Sequence, residues 1–210
     1  MACLISSIGF DEKFLVRSFL RRGRQQVDYV LVVKPSTENE KTEKAISSLR
    51  RLLDEAHVSL EVLQVDHMNF PIAVSNVMTW LRKSSYVDYI LNLSSGMRLV
   101  NIEILTAFLL LRLDAEVEVE PESLQDVVSF RVSDMMGYAV DSTDLKILSA
   151  IQKGENKIAL ISKKLKIPNA TVWRRVKELE KNGFLSSSDD RLVLKNKGII
   201  FLNFSRNSQL

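Results

Sequence analysis

The sequence predicts an α/β chain in two parts: a mostly parallel sheet covered by helices over residues 1–132 and, beyond a linker at 133–140, a small basic domain at 141–210. Three observations carry this. Over the first 132 residues, short β-branched runs of strand length alternate with segments of i, i+3, i+4 apolar spacing. Charge divides unevenly: residues 141–210 hold 14 Lys and Arg against 7 Asp and Glu, a balance of +7, whereas the rest holds 15 against 19, a balance of −4. Finally, two helical patterns near the C-terminal end meet at Ile167-Pro168, the spacing of a helix-turn-helix.

The strand candidates are, in order, "CLISSIGF", "DYVLVVKPS", "SLEVLQVD", "DYILNLSS" and "AEVEVE". Between the second and third, Ala45, Ile46, Leu49, Leu52 and Leu53 fall on one helix side, with Lys44, Arg50, Arg51 and Glu55 largely on the other. Strands alternating with such helices form a parallel sheet covered on both faces, and "YILNL" and "YVLVV" are expected to be central because nearly every position is apolar. "DVVSFRV" follows "AEVEVEPES" too closely for an intervening helix, so these two strands should pair antiparallel.

Composition narrows the chemistry. A single cysteine, Cys3, excludes an intramolecular disulfide or a C-x-x-C metal site, and His57 and His67 are the only histidines. Neither a cofactor nor a metal is expected. No run of 18 apolar residues is present, and "LISSIGF" is cut short by Asp11-Glu12-Lys13, so the chain reads as cytoplasmic with no membrane partner. The Gly-rich fingerprints of dinucleotide and nucleoside triphosphate sites are missing.

In open α/β sheets ligands bind beyond the carboxyl ends of strands, where helix N-termini offer free N–H groups. Two turns hold such positions. After the fourth strand, Ser94, Ser95 and Gly96 offer hydroxyls and a close backbone approach, and Arg98 adds a planar fork suited to phosphate. After the first, Ser7, Gly9, Phe10 and Asp11 form a second turn in which Asp11 could cap a helix starting near Glu12 and Phe10 is an exposed aromatic. An anionic ligand, a phosphate ester, is the expectation.

In the basic part, a helix capped by Asp141 or Ser142 ends at Gly154, a short helix covers about 157–165 and a longer one about 169–181. On the last, Val172, Val176 and Leu179 form the buried stripe, while Ala170, Arg174, Lys177 and Lys181 face away. Asn169, Thr171 and Arg174 are placed near base edges or phosphates of double-stranded DNA, with Arg175, Lys177 and Lys181 as further contacts. "FLSSS" and "RLVLK", joined by Asp189-Asp190, read as a wing whose Arg191 and Lys195 would reach backbone phosphate. "GIIFLNF" reads as a closing helix.

With "GFDEKFLVR" after the first strand, "VVKPS" ending the second and "LNLSSGMRLVNIEIL" bridging the fourth strand and its helix, the chain resembles the CARF (CRISPR-associated Rossmann fold) winged helix-turn-helix regulators of archaeal CRISPR systems. Asn92 stands where such relatives usually carry Asp. The resemblance implies a Rossmann-like sensor and a homodimer whose two copies share one pocket for a cyclic oligoadenylate, usually cyclic tetra-adenylate. It places Gly9, Phe10 and Asp11 in a first ligand motif and Ser94, Ser95, Gly96, Met97 and Arg98 in a second. Ser36 and Asn69, ending the second and third strands, are further candidates.

A non-enzymatic, ligand-responsive DNA-binding regulator is the leading reading, with no catalytic residue assigned. Two others compete: cleavage of the cyclic messenger in the same pocket, which needs positioning more than a catalytic triad, and a protein-interaction adaptor.

Overall fold

Strand pairing in the computed structural model, which describes residues 1–37, 39–121, 126–188 and 191–207, follows the alternation read from the sequence. The elements run β1 (Ala2–Ser7), α1 (Lys13–Arg22), β2 (Val27–Pro35), α2 (Glu40–Glu55), β3 (Ser59–Val65), α3 (Phe70–Lys83), β4 (Tyr89–Asn92), α4 (Arg98–Leu111), β5 (Glu116–Val119) and β6 (Val128–Arg131). They build a sheet of order β3-β2-β1-β4-β5-β6. All neighbours are parallel except β5 and β6, whose short connection forces the antiparallel pairing expected for it.

The sheet grows outward from β1 through β2 to β3, then returns to place β4 on the other side of β1. Such a reversal opens a crevice beyond the carboxyl ends of the two strands. β1 and β4 are therefore the central pair, and β2 lies one place out, between β1 and β3. Both faces of β2 are covered, which is why Val30, Leu31, Val32 and Val33 are all buried and the run is continuously apolar. Helix α2 closes one face with Ala45, Ile46, Leu49 and Leu53. Leu49 is fully buried, and its truncation to Ala would cost about 2–5 kcal/mol.

One helix start differs from expectation. Asp11 is not the cap of α1; Glu12 holds that position and makes no side-chain capping bond. The Asp11 carboxylate accepts instead from the Lys13 amide at 3.1 Å.

The chain divides into two compact units, Met1–Val132 and Ser133–Leu210. Around the second, α5 (Val132–Met135) is followed by α6 (Ser142–Gln152), α7 (Ile158–Leu165), α8 (Asn169–Lys181), β7 (Leu185–Ser188), β8 (Arg191–Leu194) and α9 (Asn196–Asn207). Asp141 caps α6 through the Thr143 and Asp144 amides, and Asp144 returns the contact in a capping box. α7 ends on Lys166 in the left-handed conformation, and the Ser162 hydroxyl donates to the Ile167 carbonyl at 2.6 Å, fixing the turn into α8. β7 and β8 pair antiparallel as a wing; its expected Asp189-Asp190 turn lies outside the described residues. Val172, Val176 and Leu179 pack with Ile147, Ile161 and Phe184 in one core. Among the described residues no helix is long and apolar enough to cross a membrane.

Candidate functional site

The turns after β1 and β4 meet because their strands are adjacent. A Cβ added at Gly9 would stand 3.3 Å from the Gly96 Cα, so the two turns touch through their backbones. Gly96 has φ +74°, and a Cβ there would fall 2.7 Å from the Ser7 Cβ and 3.0 Å from the Ile8 amide nitrogen. Only glycine fits that approach at that backbone angle.

A hydrogen-bonded frame holds the contact. The Ser7 hydroxyl sits 2.6 Å from both the Ser95 carbonyl and the Asn101 Oδ1, while the Asn101 amide donates to the carbonyls of Ser95 (2.9 Å) and Leu93 (3.2 Å). Asn92 orders the turn by accepting from the Ser94 amide at 3.1 Å. The Ser94 hydroxyl accepts from the Glu120 amide at 2.9 Å. Thus Ser94, expected as a donor toward ligand, already serves as an acceptor linking its turn to the end of β5. A carboxylate cluster under α1 completes the frame. Glu120 pairs with Arg17 and Arg21, both at 2.8 Å, and Glu118 with Arg22 at 2.7 Å and with Ser18. Burial alone would raise the Glu118 pKa, but the bonds from Ser18 and Arg22 outweigh it and hold the carboxyl below its ordinary value.

Above this frame lies a cavity of about 570 Å³, lined by Gly9, Phe10, Asp11, Ser94, Ser95, Gly96 and Met97. Sequence reasoning missed its remaining wall, formed by Ile8, Phe14 and, where β2 passes into α2, by Pro35, Thr37, Asn39 and Thr42. The strand order supplies the signal: β2 ends beside β1, so its loop must border the same crevice. Phe10 is exposed, with the Lys41 ammonium 5.6 Å from its ring centroid. Met97 before α4 makes no side-chain capping bond, and the N-terminus of that helix therefore leaves backbone donors beside the cavity, whereas at the start of α1 the Lys13 amide is already taken by the Asp11 carboxylate.

Three further candidates fall elsewhere. Arg98 is exposed as the first residue of α4, beside the cavity but not in its wall. Ser36, in the bend just after β2, lines a separate depression with Lys34, Glu43 and Gln64, while its neighbours Pro35 and Thr37 line the cavity. Asn69 is the N-cap position of α3, at the end of β3 on the sheet edge, outside the cavity wall.

In the second unit α8 presents Asn169, Ala170, Arg174, Lys177 and Lys181 as exposed residues, and Thr171 is half-buried. Arg175 departs from its expected place among the DNA contacts. Its guanidinium lies 2.6 Å from Asp141 and 3.3 Å from the buried Asp144, tying α8 to the start of α6. Lys177 pairs with Glu180 at 2.9 Å on the surface, a contact that phosphate could replace at little cost. Arg191 and Lys195 are exposed on and after the wing.

Buried Lys197 was not foreseen: it donates to the carbonyls of Asn182 (3.0 Å) and Ser133 (3.2 Å) over the Phe184 ring. Burial lowers its pKa, opposed by Asp134. It satisfies the carbonyl at the end of α8 and so fixes that helix against α9.

Comparison with known proteins matches residues 2–131 to the Csa3 CRISPR-associated Rossmann-like domain and residues 140–186 to the winged helix-turn-helix DNA-binding family. The chain is 24% identical over 207 residues to the CRISPR locus-related protein Csa3 of Saccharolobus solfataricus, covering 95% of this chain and 87% of that one. Among solved structures it is similar to protein SSo2273 from Sulfolobus solfataricus, with 28% identity, a TM-score of 0.30 and coverage of 31% of this chain and 54% of that one. It is also similar to Can2 from Sulfobacillus thermosulfidooxidans, solved with cyclic tetra-adenylate, with 10% identity, a TM-score of 0.49 and coverage of 97% of this chain and 63% of that one. At these TM-scores neither likeness carries weight for function.

Proposed function

The chain belongs to the Csa3 family of CRISPR-associated Rossmann-like domains and continues into a winged helix-turn-helix DNA-binding domain; from that premise we propose that it is a DNA-binding regulator controlled by a cyclic oligoadenylate, cyclic tetra-adenylate being the first to test. One observation carries the ligand reading. Two turns from adjacent strands meet through their glycines under a cavity bordered by the start of α4, which has no side-chain cap and so leaves backbone N–H groups for an anion. Phosphates suit the N–H groups and Arg98, and a purine suits the exposed Phe10 ring.

The ring is held between two copies of the chain. α4 is apolar nearly all round, yet Ile102 and Leu110 on it are exposed, together with Ile72 on α3. A helix of that character is stable when covered, and a second copy related by a twofold axis would cover it while bringing two sets of turns to one ligand. Duplex DNA is held by α8 and the wing, through Arg174, Lys181 and Arg191 with Asn169 and Thr171 at the helix start.

Binding of duplex DNA by the full chain, measured across a salt series with and without cyclic tetra-adenylate, tests the reading. Affinity should fall steeply with salt and change when the messenger is added. Affinity independent of both would refute it.

A further inference from the structure

The recognition helix carries one large apolar side chain that neither its core nor its cationic stripe explains. Trp173 is 54% exposed on α8, in contrast to Trp80, the chain's other tryptophan, which is half-buried against Tyr29 at 6.3 Å. Its place on the helix is fixed by its neighbours. Val172 and Val176 turn inward, Arg175 turns toward α6, and Glu180 turns toward the wing, where its carboxylate accepts from the Ser187 amide at 2.9 Å. Residues seven apart share a helix side, so Trp173 stands on the wing side of α8, two turns nearer the helix start than Glu180. The exposed Ala170 lies one turn before it and the exposed Lys177 one turn after. Ala170 and Trp173 therefore make a small apolar surface bordered by Asn169, Arg174 and Lys177.

The cations bring a duplex to this surface, and the apolar pair is what meets the base edges once it arrives. In the major groove one base presents an apolar group, the C5-methyl of thymine. We propose that Trp173, with Ala170, reads thymine methyls in the DNA target, and so sets base preference at the start of the recognition helix. This rests on the DNA-binding reading given above. The pair carries no charge, so it adds discrimination without adding to the salt dependence of binding.

The test uses a duplex selected from a random library by the full wild-type chain, synthesised once with thymine and once with deoxyuridine at every thymine position. Wild-type affinity should fall about fourfold for each contacted methyl removed, the effect of one buried methyl-sized group. Trp173→Ala should lose a similar factor on the thymine duplex, show a smaller deoxyuridine penalty than wild type because only Ala170 remains of the pair, and keep both the wild-type melting temperature and the wild-type salt slope. Trp173→Phe, which retains an aromatic face, should still discriminate. An equal deoxyuridine penalty in wild type and Trp173→Ala overturns the methyl assignment while leaving DNA binding intact. If no duplex is enriched by the wild-type chain, the DNA-binding reading itself fails, and the inference with it.

Discussion

Gly9 and Gly96 face each other across the carboxyl ends of β1 and β4, so close that a Cβ on the first would stand 3.3 Å from the Cα of the second. Their sequence separation is long, but the parallel register of Ser6 with Asn92 places the turns after the two strands side by side. The floor of the cavity is thus set by strand order and by the absence of two side chains.

Replacing Gly96 with Ala should be costly on two counts: a positive φ, and a Cβ driven against Ser7 and the Ile8 amide. A loss of about 2 kcal/mol or more is expected, visible as a lowered melting temperature and a loss of ligand binding. An unchanged melting temperature would mean that the turn has room to move.

Glu103 gives the first unit a pH dependence. Its carboxylate is fully buried on α4 and has no hydrogen-bond partner among the described residues; burial, with Asp66 adding to it, raises its pKa from 4.5 to about 7. An acid whose folded pKa is raised favours the protonated state. Its contribution to stability is full below about pH 4.5 and is lost as pH rises through about 7. The loss is on the order of 3 kcal/mol. Chemical denaturation at pH 5.5 and 8.5 should show the larger part of it, about 2 kcal/mol, and Glu103→Gln should remove most of the difference between the two; an undiminished difference in that variant would assign it to other groups.

The recognition helix separates two adjacent arginines. Arg174→Ala should weaken DNA binding by about 1–3 kcal/mol and leave melting unchanged. Arg175→Ala should lower stability, by about 1–3 kcal/mol, because buried Asp144 loses its cation. Parallel melting and DNA titrations of both variants check this; a stable Arg175→Ala with weakened DNA binding would return Arg175 to the interface.

The difference between those arginines marks where sequence reading ends. The β-α alternation was legible because periodicity is local, and so was the Ser94–Arg98 turn, because a Gly-containing turn between a strand and a helix has few uses. Arg175 was not, since its partners Asp141 and Asp144 lie at the start of α6, with α7 between, Asp144 being 31 residues earlier in the chain. Thr37, Asn39 and Thr42 were missed for the same reason: they join the cavity only once β2 is placed beside β1. Ser36 lies in the bend past β2 and lines a neighbouring depression while Pro35 and Thr37 line the cavity, a single-residue distinction that a strand-end pattern does not resolve.

The central assignment is a phosphate-bearing ring over the two turns, and calorimetric titration of cyclic tetra-adenylate into the wild-type chain and Arg98→Ala tests it most directly. Wild type should bind with a stoichiometry of one ring per two chains. Arg98→Ala removes one charge-assisted contact from each copy, so affinity should fall by about 3 kcal/mol or more, on the order of a hundredfold, with the melting temperature of this exposed position unchanged. Absence of binding to wild type, or equal affinity in the two proteins, would contradict the assignment of this site.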